Sequence, residues 1–163
     1  MKFYIKPKHF AQYRSFKIRD EQQGELFKIK GKFVFGLRKL WMKDMNDERL
    51  YTLERKFCMK GHRKYEVLNE LSEVVAQIQR TYGKKPKYTL SMSDNTMHFE
   101  GTVYEHKFSL HDENEALAKI EKKDFDFGEA YEVEILTERK PLLHLFLVVA
   151  IDQMNHERKK FRS

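Results

Sequence analysis

One cysteine, Cys58, stands among 163 residues, so the chain has no internal disulfide to staple it and no paired thiolates for a zinc site. Three prolines and seven glycines are too few for a disordered or low-complexity polypeptide. Long apolar runs are missing as well. The most sustained, Leu142 to Ile151, is interrupted by His144 and falls well short of the roughly 20 residues that cross a bilayer. The amino terminus lacks the charged-then-apolar layout of a secretory signal, and a cytoplasmic protein is expected. Gly31-Lys32 lacks the spaced glycines of a phosphate loop, and no catalytic arrangement of side chains stands out. A non-enzymatic protein without cofactor or bound metal is therefore expected.

What is present is material for a β-rich core. Hydrophobic residues make up 40%, with 13 Phe and 8 Tyr, and a chain of this length buries about two-thirds of its unfolded surface as one domain, here residues 1–163. Apolar and polar residues alternate with period two almost everywhere before residue 140, as in Tyr65 and Val67 or Tyr88, Leu90 and Met92. This predicts strands over 2–8, 13–19, 25–32, 38–43, 49–57, 64–68, 73–81, 87–92, 95–100, 103–110, 115–122 and 130–136. One phrase recurs four times: Leu26-Phe-Lys-Ile-Lys-Gly-Lys-Phe33, Leu50-Tyr-Thr-Leu-Glu-Arg-Lys-Phe57, Val75-Ala-Gln-Ile-Gln-Arg-Thr-Tyr82 and Leu117-Ala-Lys-Ile-Glu-Lys-Lys-Asp124. It reads as an apolar strand, a basic cluster with an aromatic and a following strand, a repeated hairpin.

Short connections such as Asp20 to Gly24, Asp44 to Glu48 and Asp112 to Glu115 are rich in turn formers, so consecutive strands should pair antiparallel. Closing the sheet into a barrel removes its exposed edges. Residues 141–158 differ from all that precede them. Pro141 suits a first helical turn, Leu142, Leu143, Leu145, Phe146, Leu147, Val148, Val149 and Ile151 surround the axis, and Arg158, Lys159 and Lys160 suit the carboxyl end. A helix apolar all round must be buried all round. A barrel of about twelve strands is wide enough to hold it along the axis, whereas about eight would be filled by side chains alone.

Several segments resemble the LURP-one-related family of the Tubby C-terminal-like group: Met1-Lys-Phe-Tyr-Ile-Lys6, Phe16 to Glu21 with Gly24, Gly31-Lys-Phe33, Lys56-Phe57, Pro86-Lys-Tyr88, and Leu145-Phe-Leu-Val-Val-Ala-Ile-Asp152. The resemblance spans nearly the whole chain and rests on structural repeats. It implies a twelve-stranded barrel around a carboxyl-terminal helix, with phosphoinositide binding and lipid scrambling known among relatives. Met59-Lys-Gly-His-Arg-Lys64, in the second repeat, departs from it, being longer and more basic than the family leads one to expect.

The net charge is +7, yet 35% of residues are charged, so placement matters more than the total. In a barrel of hairpins alternate turns lie at opposite ends. Turns after even strands hold Asp20, Glu21, Asp44, Asp47, Glu48, Glu70, Glu73, Asp94, Asp112, Glu113 and Glu115. Turns after odd strands hold Lys32, Arg38, Lys39, Arg55, Lys56, Lys60, Arg63, Lys64, Arg80, Lys84, Lys85, Lys87, Lys122 and Lys123, and the helix tail delivers Arg158, Lys159 and Lys160 to the same end. These cations are the candidate anion-binding set. Their expected partner is anionic phospholipid or a membrane surface, with nucleic acid as the alternative and a small apolar ligand inside the barrel as a further one.

Arg55, Arg80 and Lys122, two residues beyond the Ile or Leu of their repeats, share its inward phase and either line the mouth or turn outward at a bulge. Phe33, Phe35, Phe57, Tyr82, Phe125 and Phe127 interleave with the basic turns and are expected to close that end as core; exposed rings would suit a membrane interface or base stacking. His98, Glu100 and His106 could approach across a hairpin as metal ligands, and Cys58 could be activated by its basic neighbours, but structural roles are expected for both. His144 and Asp152, on the buried helix, are expected to be satisfied by partners.

Overall fold

The computed structural model describes residues 1–6, 15–57, 62–81, 87–92, 95–102 and 106–162, with side chains as far as Met154 in the last segment. Alternation resolves into twelve strands: β1 (Lys2–Ile5), β2 (Ser15–Arg19), β3 (Glu25–Phe33), β4 (Leu37–Asp44), β5 (Arg49–Lys56), β6 (His62–Leu68), β7 (Val74–Thr81), β8 (Lys87–Met92), β9 (Asn95–Thr102), β10 (Lys107–His111), β11 (Ala116–Phe125) and β12 (Gly128–Ile135). Each pairs antiparallel with its sequence neighbour, and β1 pairs with both β2 and β12, which closes the barrel. The Met1 amino group donates to the Ile135 carbonyl at 3.1 Å, and the Ile135 N–H donates back to Met1 at 2.8 Å.

Each repeated phrase lies along a single odd-numbered strand rather than a hairpin, apart from Phe57, which follows β5, and Tyr82, which lies outside the described residues, and its central residue is the inward anchor. Ile29, Leu53, Ile78 and Ile120 are at most 1% exposed. They pack toward α1 (Pro141–Arg162), whose residues 143–154 are all buried. Phe146 stacks on Tyr51 with ring centres 5.8 Å apart. Each fully buried Leu, Ile, Val or Phe contributes about 1.5–3 kcal/mol of transfer free energy, so the helix and the inner wall stabilise one another. Lys140, just before the helix, has φ 44°, and its carbonyl accepts a hydrogen bond from the His144 ring at 2.9 Å.

Three turns at the end where α1 begins are built alike. Asp20, Asp44 and Asn69 each accept, through one side-chain oxygen, the N–H groups two and four residues ahead: Gln22 and Gly24, Asn46 and Glu48, Leu71 and Glu73. Each turn then passes through a left-handed residue, Gln23, Asp47 or Ser72, with φ between 61° and 66°. The strand register slips by one residue beside each turn, at Ile18/Arg19, Met42/Lys43 and Val67/Leu68. Asp112 serves the β10–β11 turn similarly, accepting from Asn114 and Glu115 at 2.8 Å each. The acidic residues expected here are thus partly turn chemistry: a short side-chain acceptor closes the loop, and Asp supplies it.

The elements differ from the expected ones at their ends. β6 begins at His62, so Arg63 lies in the strand with Lys64. β11 runs on to Phe125, which puts Lys123 in the strand with Lys122, and α1 continues to Arg162. β1 stops at Ile5; residues 7–14, like 103–105 of the expected tenth strand, lie outside the described residues.

Candidate functional site

At the end opposite the acidic turns, three phenyl rings face solvent: Phe35 between β3 and β4, Phe57 after β5 and Phe127 between β11 and β12. Phe35 and Phe57 are 86% and 101% exposed. This corrects the expectation that the aromatics here close the barrel as core, which holds for Phe33 alone in its half-buried position against the core cluster. Phe125 instead packs on the outer wall, stacked on Phe127 at 5.0 Å and edge-on to Tyr4 at 5.2 Å. Tyr82 lies outside the described residues.

The Phe35 turn is held from below by two arginines. Arg55 donates through one nitrogen to the Phe35 carbonyl at 3.0 Å and through another to Val34 at 2.8 Å, while Arg63 donates to the Phe35 carbonyl at 2.7 Å. The Tyr65 hydroxyl adds a bond to the Leu37 carbonyl at 3.1 Å. Phe35 itself sits at φ 52°, a left-handed conformation uncommon for an aromatic residue, beside Gly36 at φ 101°. The planar guanidinium, with several donors in a fixed fork, suits such clustered carbonyls. Arg55 and Arg63 therefore position a turn, a task that no local sequence pattern announced.

Arg80 is 3% exposed, so it points inward, as the phase of its repeat allowed. It donates to the Met154 carbonyl of α1 at 3.2 Å and lies 5.7 Å over the Tyr88 ring. Near it the His106 ring meets the Asp152 carboxylate at 2.5 Å; both are buried. Tyr131 packs against His106 at 5.3 Å, and its hydroxyl is pushed up to about pKa 12 by burial and by the nearby Asp152 charge. This polar ring ties the far half of the helix to the mouth of the barrel. His144 forms no part of it, lying at the other end, where burial lowers its pKa.

The remaining candidates divide by partner. Lys39 pairs with Glu54 at 3.2 Å, and Lys56 with Glu54 at 3.3 Å and Glu66 at 3.7 Å. Lys122 pairs with Glu129 at 2.9 Å, turning outward rather than lining the mouth. Lys123 pairs with the buried Glu132 at 3.0 Å, whose hydrogen bond raises the lysine pKa. The exposed pairs among these are worth about 0–1 kcal/mol and exchange readily for other anions. Lys32, Arg38 and Lys87 are exposed at the same end, and Lys64 is half-buried in β6. Lys60, Lys84, Lys85 and Cys58 lie outside the described residues, and Arg158, Lys159 and Lys160 occupy the last turns of α1.

His98, Glu100 and His106, weighed as metal ligands and set aside for structural roles, are not brought together. His106 faces the helix, while His98 and Glu100 lie on the outer wall with His111, which sequence reasoning passed over. The signal was the pairing register: counting back from the β9–β10 connection puts His98 directly opposite His111.

A family model described as LURP-one-related matches residues 1–152. The chain belongs to the LURP-one-related family. It is 24% identical over 154 residues to the uncharacterised protein YxjI of Bacillus subtilis strain 168, covering 94% of this chain and 93% of that protein. A crystal structure of an Arabidopsis thaliana protein superimposes with a TM-score of 0.60 at 18% identity, over 94% of this chain and 90% of that one. That likeness establishes the LURP-one-related barrel as the fold shared with the plant protein.

Proposed function

We propose that this protein is a non-enzymatic binding module of the cytoplasm, residues 1–163 acting as one domain, that docks the odd-turn end of its barrel on anionic phospholipid bilayers. The observation that carries this reading is the shared location of exposed Phe35, Phe57 and Phe127 with exposed Lys32, Arg38 and Lys87. Aromatic rings favour the headgroup boundary, and each nearby cation adds about 1 kcal/mol on an anionic leaflet. A few rings partly inserted beside three to six cations give reversible binding near the micromolar range, about 8 kcal/mol. The clamp on Phe35 adds support, since a ring presented on a fixed turn loses little freedom on docking. An apolar-ligand carrier is disfavoured because buried α1 side chains already occupy the lumen.

Vesicle sedimentation tests the proposal. Phosphatidylcholine vesicles containing phosphatidylserine should pellet the protein, and phosphatidylcholine alone should not. Replacing Phe35, Phe57 and Phe127 together by Ser should reduce binding at least about tenfold, one factor of ten being 1.4 kcal/mol. Retention by a labelled oligonucleotide but not by anionic vesicles would replace this reading with nucleic-acid binding.

A further inference from the structure

We propose that His98, Glu100 and His111 form a binding site for a divalent transition metal on the outer wall of the barrel, independent of the membrane-docking reading. His98 on β9 stands opposite His111 on β10, and Glu100 stands opposite Ser109, so all four side chains share the outer face of one hairpin. The imidazoles are stacked, with centroids 5.4 Å apart and planes 18° from parallel. Glu100 reaches between them: its two oxygens lie 3.5 Å from His98 Nε2 and 3.5 Å from His111 Nε2. One ligand atom from each of the three lies within 4.8 Å of the others.

These separations are close to what coordination requires. In a tetrahedral site with metal–ligand bonds of about 2.0–2.1 Å, neighbouring ligand atoms are about 3.3–3.4 Å apart. The carboxylate–imidazole distances need to close by only tenths of an ångström, while the two stacked rings must turn so that their in-plane nitrogen lone pairs converge on the cation. Because the imidazoles are carried on paired strands, the spacing of their Cα atoms is set by the ladder and not by a loop, which leaves mainly side-chain rotation for the metal to impose. Two imidazoles with one carboxylate select Zn²⁺, Cu²⁺ or Ni²⁺ over Mg²⁺ and Ca²⁺, which prefer oxygen donors.

Ser109 sits beside the site, its hydroxyl 2.8 Å from His111 Nε2. Metal binding at that nitrogen displaces this hydrogen bond and leaves the hydroxyl beside the new cation. His98 and Glu100 have side chains 56% and 64% exposed, so the fourth coordination position opens to solvent, to be filled by water or an external donor. The bound ion would act as a clip fastening β9 to β10.

Zinc titration of the full chain, followed by calorimetry and by thermal melting, tests the site. One equivalent of Zn²⁺ should bind and raise the melting temperature, because a ligand specific to the folded state stabilises it. Acidification should weaken binding as the metal competes with protons for the rings. His98→Ala with His111→Ala should lower the affinity roughly a hundredfold, given that losing even an outer partner of a ligand costs about 10–100-fold. His62→Ala, on the exposed start of β6, should leave it unchanged. As a measurement that needs no variant, Cu²⁺ bound to the unaltered protein should show coupling to two equatorial imidazole nitrogens in electron paramagnetic resonance. Zinc binding equally tight in the double variant, no binding up to about millimolar Zn²⁺, or copper coupled to fewer than two such nitrogens would overturn the proposal.

Discussion

Asn69 separates two things that its relatives Asp20 and Asp44 combine. All three close the same kind of turn through a side-chain oxygen, but only the aspartates carry charge. The acceptor is thus what the turn requires, and the charge accompanies it. Asp44→Ala should destabilise the fold by about 1–2 kcal/mol in urea titration, and Asp44→Asn by well under half of that. Asp112 adds a pH dependence: hydrogen bonds from the Asn114 and Glu115 N–H groups hold its carboxyl below the ordinary value of 3.8. A depressed carboxylate contributes stability above its unfolded pKa and loses it as pH falls through the lower folded one, so this contribution should vanish in strong acid. Arg55 shows the converse, where geometry outweighs charge. Arg55→Lys keeps the cation but loses the two-pronged reach to Val34 and Phe35, and should cost about as much stability as Arg55→Ala, about 1–2 kcal/mol by urea titration.

Among the elements, α1 was the most legible, because a segment apolar on every side has few places to go and a wide barrel is one of them. Strand phase was legible too, since Ile29, Leu53, Ile78 and Ile120 keep the period that points them inward. Side-chain targets across the barrel were not. Arg55 finds main-chain carbonyls 18 to 21 positions back in the chain, and Arg80 one 74 positions ahead, distances at which local periodicity carries no information. His106 shares the inward phase of Phe108 and Leu110 and faces the helix, whereas His98 meets His111 on the outer wall through the strand register. Within α1, His144 makes a measurable prediction. Burial lowers its pKa from 6.5, so between the folded and unfolded values the unfolded chain holds more protons and acid favours unfolding. Stability should be intact above about pH 6.5 and decline below it, and His144→Leu should flatten that part of a melting-temperature profile.

For the molecule as a whole, opposed ends make ionic strength the discriminating variable. If the end bearing Phe35 and Arg38 docks on bilayers, raising salt from about 50 to about 500 mM should weaken sedimentation, because the Debye length shrinks from above 10 Å to under 5 Å. Replacing Lys32, Arg38 and Lys87 by Glu should abolish it, and neutralising Asp47, Glu48 and Glu113 at the other end should leave or improve it. Equal losses from both sets would mean that the ends are equivalent. The closure of the barrel bears on something else, the order of assembly. β1 is synthesised first, yet its main partner, β12, comes near the end, and α1, which both must enclose, comes later still. A barrel sealed before the helix arrived would have to be threaded, so the sheet must wind around α1 while still unsealed. Since β1 and β12 lie farthest apart along the chain, their seam is the natural last stitch. Its amides should be the first to exchange with deuterium, and the protein should fold only when its final helix is present to be wrapped.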